Sequence, residues 1–157
     1  METPQHYAEL EQLMRSGIPL ARAMELRIVG YDGERLALSA PLAPNVNDKG
    51  CAFGGSIGSL LTLAAWGLIT LKLGERGIAA EVYIRDAELK FSEPVWDSLN
   101  AEAWLVEPDW DALLESLSAG KKTRCTMLAE VIGENGAAAA ARQKSSFVLL
   151  TKVEGTR

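Results

Sequence analysis

The chain has 157 residues, of which 48% are hydrophobic and 24% charged, and this length and composition suit one domain with an apolar core. A net charge of -5 with scattered basic residues argues against nucleic-acid binding. Two cysteines are too few for a disulfide framework, and the N-terminus lacks the apolar run of a signal sequence. We therefore expect a single domain over residues 1–157, located in the cytoplasm.

The first half of the chain predicts a short helix, a hairpin and a long helix. Residues 5–16 have apolar side chains at helical spacing, and a Gly-Ile-Pro sequence is expected to stop that helix. Two alternating segments flank Asp32-Gly33, a dipeptide typical of tight hairpin turns. A proline-flanked loop leads to a long apolar segment, which predicts a helix over 54–73 that ends at Gly74.

The segment from Cys51 to Leu71 contains no charged residue, and its length raises the question of a membrane span. Eight glycines, serines and threonines dilute its hydrophobicity, and no basic flank sets an orientation. We therefore expect a helix buried in a protein core, and no membrane-spanning segment.

The second half predicts four strands and one helical insertion. The pattern of 79–95 changes phase near Arg85-Asp86, which predicts a β-bulge in a long strand. The remaining elements are a strand over 98–107, a helix that starts at Pro108 or Asp109 and ends at Gly120, and strands over 121–132 and 137–152. The last strand begins with five alanines that favour a helix by propensity, but the preceding Gly-Glu-Asn-Gly turn favours a hairpin.

This element order lacks the strand–helix–strand alternation of a doubly wound fold. It favours an α+β fold in which a mainly antiparallel sheet wraps around the helix over 54–73. Such a sheet leaves an edge strand and part of the helix uncovered, so we expect a homodimer.

The Gly-Gly-Ser sequence at the start of the long helix has two interpretations. It does not fit a nucleotide-binding loop, because no lysine follows the glycines. The free N–H groups of Gly54, Gly55 and Ser56 would form a site for an oxygen that carries or develops negative charge. The alternative is ordinary helix capping by Ser56 or Gly54.

Nucleophile–base and metal chemistry lack the residues that they need. His6 is the single histidine, so neither a Ser-His-Asp nor a Cys-His system can be assembled. The same shortage leaves no zinc site, and we expect no metal and no cofactor. Cys51 lies next to the glycines, where a small packed thiol is the favoured interpretation.

Two further sets of polar residues have both a structural and a functional interpretation. Asn45 and Asn47 lie in the proline-flanked loop, where asparagine usually supports turns. Lys121, Lys122 and Arg124 stand at a strand start. They form either a solvated strand end or a docking point for a phosphate or an acidic carrier protein.

The segment NVNDKGCAFGGS resembles the entry to the central helix in hot-dog-fold acyl-thioester enzymes. It looks most like the small thioesterase-like family defined by the C-terminal domain of YiiD. The similarity extends over most of the chain, through IPLARAMELRI before this segment and ELKFSEPVWDSLNAEA and SLSAGKKTRCTMLAEV after it.

The resemblance implies a hot-dog sheet, assembly into dimers or tetramers, and an interface pocket for an acyl thioester of coenzyme A or acyl carrier protein. It implies that Asn45 acts on the thioester, that the N–H of Gly55 holds the carbonyl oxygen, and that Ser56 assists. The substrate-binding residues expected around these three are Asn47, Phe53, Gly54, Thr62, Lys121 and Arg124.

Two positions depart from the commoner hydrolytic pattern. Phe53 stands where many relatives have histidine, and Thr62 stands where an aspartate or glutamate general base is common. The first acid after the glycines is Glu75. Hydrolysis needs a deprotonated water, whereas decarboxylation of a malonyl thioester chiefly needs stabilisation of an enolate oxygen.

These departures favour conversion of a malonyl thioester to an acetyl thioester for fatty acid synthesis. Hydrolysis stays open if a residue of a second subunit, or Thr62 with Ser56, positions water. A non-catalytic acyl-thioester binding module and an interaction scaffold are the other hypotheses. The sequence leaves open the acyl chain length, the choice between coenzyme A and carrier protein, and the choice between dimer and tetramer.

Overall fold

A computed structural model describes residues 4–134, 136 and 138–152, with side chains from residue 7 onward. The helices in this part of the chain are α1 (Pro4–Gly17), α2 (Pro19–Ala23), α3 (Gly54–Glu75) and α4 (Trp110–Ser118). The strands are β1 (Arg27–Tyr31), β2 (Arg35–Ala40), β3 (Ala80–Phe91), β4 (Leu99–Glu107), β5 (Thr123–Ile132) and β6 (Ala139–Thr151). A single 3-10 turn, Ala43–Asn45, precedes α3.

The six strands form one antiparallel sheet in the order β1-β2-β4-β5-β6-β3. Helix α3 packs against five of these strands, β2 to β6, and its fully buried side chains include Leu60, Leu61, Leu68 and Ile69. The predicted α+β architecture, an antiparallel sheet wrapped around one long helix, is confirmed.

The predicted turn at Asp32-Gly33 joins β1 to β2. Gly33 has a φ of +95°, a left-handed conformation that glycine adopts at little cost. The Asp32 carboxylate accepts hydrogen bonds from the N–H of Glu34 at 2.9 Å and of Arg35 at 2.7 Å. These backbone hydrogen bonds, with that from Arg35 first, hold the pKa of Asp32 below its ordinary value.

Two local predictions for the second half are also confirmed. In β3 the pairing with β6 shifts between Ile84 and Asp86, so that Arg85 is the extra residue of a bulge. Asp109 caps α4, because its carboxylate accepts the N–H of Ala112 at 2.8 Å.

Two helix boundaries differ from the prediction. Pro19 does not merely stop α1 but begins α2, since proline lacks an N–H that the first helical turn leaves unpaired anyway. Helix α3 continues through Gly74 to Glu75, and the chain turns at Gly77, whose φ is +64°. Glycine in the last turn of a helix need not end it, because the left-handed residue that follows does so.

The two edges of the sheet are protected to different degrees. On β1 the Glu11 carboxylate accepts the N–H of Ile28 at 2.9 Å and pairs with Arg27 at 2.9 Å, and the strand is bulged after Ile28. On β3, within the described residues, eleven of the twelve residues pair with β6, and no other strand pairs with β3. The unprotected edge is therefore the longer one.

Helix α3 is the one described helix that is long and apolar enough to cross a membrane. However, 61% of its most apolar stretch of 18 residues is buried inside the protein, as in the core helix of a globular domain. Length and composition alone are weak evidence for a span, and the packing of α3 against the strands accounts for its hydrophobicity.

Two glycines of α3 should respond oppositely to alanine. A Cβ on Gly67 would lie 2.4 Å from Cε of Met14 and 2.9 Å from Cδ2 of Leu36, whereas a Cβ on Gly74 would have no neighbour within 4 Å. We expect Gly67→Ala to lower the free energy of unfolding by about 1–3 kcal/mol. Gly74→Ala should raise it by about 0.5–1 kcal/mol through helix propensity.

Urea unfolding of the two variants measures this difference. Equal effects in the two variants would contradict the close packing of α3 against α1 and β2.

Candidate active site

The N-terminus of α3 has no side-chain cap. Phe53 occupies the capping position with extended backbone angles, and no side chain accepts a hydrogen bond from the first helical turn. The first turn of the helix closes where the N–H of Ile57 donates to the backbone carbonyl of Phe53 at 3.1 Å. The N–H groups of Gly54, Gly55 and Ser56 therefore precede the helical hydrogen bonds, and the capping interpretation of Ser56 is not what the structure shows.

Two phenylalanine rings lie against these glycines. A Cβ on Gly55 would be only 2.3 Å from Cε1 of Phe53, so the Phe53 ring lies directly over Gly55. A Cβ on Gly54 would be 3.5 Å from Cζ of Phe91. Both rings are 54% exposed, and they form an apolar rim around a polar backbone surface.

Asn45 holds the loop that leads to the helix. Its side chain is 1% exposed, and Nδ2 donates to the backbone carbonyls of Met24 at 3.0 Å and Pro41 at 2.8 Å. The backbone carbonyl of Asn45 accepts a hydrogen bond from the N–H of Phe53 at 2.7 Å. Oδ1 is buried and has no hydrogen-bond partner among the described residues. Both amide hydrogens of Asn45 are thus engaged within the chain.

Asn47 supports the turn that follows. Its Oδ1 accepts the N–H of Lys49 at 2.8 Å and of Cys51 at 3.2 Å, and its Nδ2 donates to Sγ of Cys51 at 3.2 Å. Gly50 completes the turn with a φ of +89°. The turn chemistry expected for the two asparagines is therefore present, and the loop delivers Phe53 to the helix in a fixed position.

An apolar cavity of about 470 Å³ lies beside this helix N-terminus. One wall is the face of α3 that carries Gly54, Gly55 and Gly58, and hydrophobic residues of the α1–α2 region, α3 and β3 form most of the rest. A Cβ on Gly58 would lie 3.1 Å from Cδ2 of Leu89, so glycine keeps this wall open. In the described part of the chain, none of the lining residues is titratable.

Thr62 and Gln143 supply the polar side chains deeper in the cavity. The Thr62 hydroxyl lies 3.1 Å from Nε2 and 3.3 Å from Oε1 of Gln143, which is 2% exposed on β6. Gln143 was not among the residues predicted from the sequence. Its signal was present, because glutamine and then Ser145 interrupt the inward-facing apolar positions of β6.

The cavity thus brings together four of the predicted site residues: Gly54, Gly55, Thr62 and, through its ring on Gly55, Phe53. Ser56 lies in the same first turn of α3 and is half-buried. Their predicted roles toward a substrate remain predictions.

Lys121 and Arg124 do not reach this cavity within one chain. They lie exposed at the start of β5, whereas the cavity residue Gln143 pairs with Ala129 further along that strand, roughly 17 Å from Arg124 and 26 Å from Lys121 at the rise of a strand. Glu75 is also remote, about 30 Å along α3 from Gly55, and it accepts the Tyr31 hydroxyl at 2.5 Å. The predicted role of the basic residues therefore depends on a second subunit.

Cysteine chemistry at the cavity receives no support. Burial raises the pKa of the Cys125 thiol to about 12, so this group stays protonated at any physiological pH. Cys51 is 7% exposed and packs within the asparagine turn. The side chain of His6 lies outside the described residues, and in that described part no group of histidine, cysteine and acidic residues could hold a metal.

A second cavity, of about 500 Å³, lies between the loop after β3 and the β5–β6 turn. Asp97 and Glu134 line it, and it contains no helix N-terminus. Acidic walls disfavour an anionic thioester carrier, so the glycine-lined cavity is the candidate site.

Solved structures share this architecture. A structure titled a putative thioesterase from Shewanella oneidensis is 23% identical, with a TM-score of 0.86 over 94% of this chain and 99% of that one. A protein of unknown function from Chlorobaculum tepidum is 27% identical, with a TM-score of 0.87 over 94% and 96%. A probable thioesterase from Pseudomonas aeruginosa is 20% identical, with a TM-score of 0.76 over 97% and 99%.

The sheet wrapped around α3 and these similarities define a hot-dog fold, as the resemblance implied. Residues 7–151 match the family model described as "Putative thioesterase (yiiD_Cterm)". The chain therefore belongs to that family.

The buried hydrogen bonds of Asn45 predict a stability effect that is separate from any role in catalysis. Asn45→Ala leaves the carbonyls of Met24 and Pro41 without their donor, and we expect the free energy of unfolding to fall by about 1–3 kcal/mol. Asn45→Asp should not restore it, because an ionised carboxylate donates no hydrogen bond. Unfolding in urea measures both. An Asn45→Ala protein as stable as the wild type would refute this structural role.

Proposed function

We propose that this protein acts on acyl thioesters of coenzyme A or acyl carrier protein, and that its reaction is decarboxylation of a malonyl thioester to an acetyl thioester. It would work in the cytoplasm and supply acetyl groups for fatty acid synthesis. The observation that carries the proposal is an uncapped helix N-terminus on the wall of a cavity whose described lining residues include no titratable group.

The first part of the argument concerns the oxygen of the thioester carbonyl. In the proposed reaction this oxygen accepts the N–H of Gly55, where the helix dipole adds partial positive charge. The bond between the carboxylate and the α-carbon breaks, and CO₂ leaves. The electron pair of that bond stays with the α-carbon and delocalises into the thioester carbonyl, which gives the enolate. Solvent then protonates the α-carbon to give the acetyl thioester. A single oxyanion donor contributes roughly 10²–10³ to such a rate.

The second part concerns the carboxylate that is lost. Among the described lining residues no cation stands ready to stabilise it, and the walls are mostly apolar. In the proposed dimer, where a second subunit would cover this open cavity, an anion would be poorly solvated, so its conversion to neutral CO₂ would be favoured while the enolate charge moves toward the helix terminus. Hydrolysis would instead require a base beside the thioester, and the described lining residues of the cavity include none.

Asn45 is best explained as a positioning residue in the single chain. Its side-chain amide donates to the carbonyls of Met24 and Pro41, and its backbone carbonyl accepts the N–H of Phe53 and so fixes Phe53 at the start of α3. The predicted contact between Asn45 and the thioester stays a prediction. Ser56 and Asn47 would support the same helix entrance rather than react themselves.

Hydrolysis of an acyl thioester is the second candidate. The observation in its favour is the Thr62–Gln143 pair, whose hydroxyl and amide can hold a water molecule in the cavity although neither removes its proton. The family description as a thioesterase supports this candidate as well. A binding module that turns nothing over remains the third hypothesis.

We further propose that the active form is a homodimer joined through β3. Its free edge is long, and Tyr83, Ile84 and Phe91 are large apolar side chains that are 43–54% exposed. Antiparallel pairing of two β3 strands would place the Ala80 end of one copy beside the Phe91 end of the other. The basic start of β5 in one copy would then approach the cavity of the other, as anion binding by Lys121 and Arg124 requires.

Charge placed on each sheet edge tests this assembly. Ile84→Glu should shift the protein from dimer to monomer and lower turnover, because it puts a carboxylate in the proposed interface. Val29→Glu is the matched control, since Val29 is 58% exposed on the protected β1 edge. Sedimentation velocity reports the mass. A wild-type monomer, or an Ile84→Glu dimer, would contradict the proposal.

Product analysis tests the reaction. We expect malonyl thioesters of coenzyme A or carrier protein to yield acetyl thioester and CO₂, and saturated acyl thioesters to yield little free acid. Mass spectrometry distinguishes acetyl thioester from free malonate. Release of malonate and thiol would establish hydrolysis instead, and retention of the ligand without any product would establish a binding module.

Comparison of Asn45→Ala with wild type completes that test. We expect the variant to lose turnover in proportion to its folded fraction, with a further loss if Asn45 contacts the substrate. Full turnover by Asn45→Ala would show that Asn45 does not contribute to the active site.

A further inference from the structure

The Thr62–Gln143 pair is an exception within the core. In the described part of the chain the buried polar residues are Asn45, Thr123, Gln143 and Ser145, and of these Gln143 alone lines the apolar cavity. An apolar side chain at this position would match the other lining residues, which are mostly apolar. A buried polar group destabilises the folded state when some of its hydrogen bonds are not made. An amide at this position therefore indicates a role other than stability.

The hydrogen-bonding capacity of the pair exceeds what the two side chains satisfy for each other. Gln143 has two amide hydrogens and a carbonyl oxygen with two lone pairs, and Thr62 has one hydrogen and two lone pairs. In the first contact, at 3.1 Å, Nε2 of Gln143 donates to the Thr62 hydroxyl. In the second, at 3.3 Å, that hydroxyl donates to Oε1 of Gln143. At least one donor and one acceptor of the pair therefore remain for another molecule.

The position of the pair sets its distance from the reacting group. Thr62 lies seven residues after Gly55, which is about two helical turns and roughly 10 Å along α3 on the same face. Between them the wall consists of Gly58 and Ser59, and the Ser59 hydroxyl donates to the carbonyl of Gly55 at 2.8 Å. Small residues of α3 thus line the cavity wall between the first turn of the helix and the neutral polar pair.

We propose that the Thr62–Gln143 pair recognises an uncharged group of the substrate that both donates and accepts a hydrogen bond, about 10 Å from the thioester carbonyl. This inference rests on the proposed binding of acyl thioesters. Two parts of such a substrate have this chemistry at that distance: the distal amide of a pantetheine arm, and a hydroxyl on a medium-length acyl chain. A charged group is disfavoured, because the described lining residues offer it no counterion.

Kinetics with paired substrates test the recognition. The variants are Thr62→Val and Gln143→Leu, which keep approximate size and remove hydrogen bonds, together with the double variant. Thr70→Val is the matched control, because Thr70 lies two turns further along α3 outside this cavity and bonds to its own helix at Trp66. One substrate pair compares malonyl-coenzyme A with malonyl-N-acetylcysteamine, which lacks the distal amide. The second pair, octanoyl-coenzyme A and 8-hydroxyoctanoyl-coenzyme A, is compared by dissociation constants.

For a ligand that carries the recognised group, we expect each single variant to raise KM (malonyl substrates) or the dissociation constant (octanoyl ligands) roughly three- to tenfold, with kcat for the malonyl substrates nearly unchanged. The partner substrate without the group should show no change, and the double variant should lose no more than a single one. Weaker binding of every coenzyme A thioester, with the N-acetylcysteamine thioester unaffected, assigns the group to pantetheine. Weaker binding of 8-hydroxyoctanoyl-coenzyme A alone assigns it to the acyl chain. Equal changes for all substrates, or none, would overturn the proposal.

Dissociation constants for the same ligands keep this test separate from the test of catalysis. If the wild type binds the thioesters without turning them over, the proposed reaction fails while the comparison of affinities still decides the role of the pair. Thermal unfolding of each variant shows that a change in affinity does not come from loss of the folded state.

Discussion

The burial of α3 is the constraint on which the rest of the structure depends. A helix of 22 residues with one lysine and one glutamate, both near its end, must be covered on most of its surface. The sheet achieves this by curving around it, and α1 closes one side so tightly that Gly67 leaves no room for a methyl group beside Met14. Because the helix enters this core at Gly54 without a side-chain cap, its N-terminal N–H groups face a cavity instead of a capping residue.

The same geometry accounts for the asymmetry of the sheet. Strand β1 is short, bulged and bound by Glu11, whereas β3 is long and its edge is unpaired in the described chain. The cavity lies between α3 and β3, so the strand that is open to self-association is also a wall of the candidate site through Leu89. Assembly and ligand binding are therefore coupled in the function that we propose.

Much of the fold could be predicted because its signals are local. The phase change at Arg85, the Asp-Gly turn and the Asp109 cap each depend on a few neighbouring residues, and each was confirmed. The free N–H groups at Gly54 and Gly55 could be predicted, because backbone chemistry decides them, whereas their role toward a substrate stays a prediction. Gln143 was missed because its importance arises from contact with Thr62, which is 81 residues away in the chain. The orientation of Asn45 toward Met24 and Pro41 is likewise set by tertiary contacts that spacing does not reveal.

The neutral pair of Thr62 and Gln143 has consequences for the whole cavity. A carboxylate at Thr62 would be half-buried beside Leu63 and Leu89, where desolvation raises its pKa and its charge would require further donors. Threonine and glutamine avoid that cost, and they hydrogen-bond to each other without any change of protonation. What the cavity retains for chemistry is the fixed dipole of the α3 N-terminus, which does not titrate. A reaction that needs charge stabilisation without proton abstraction is therefore the one for which these residues are best suited.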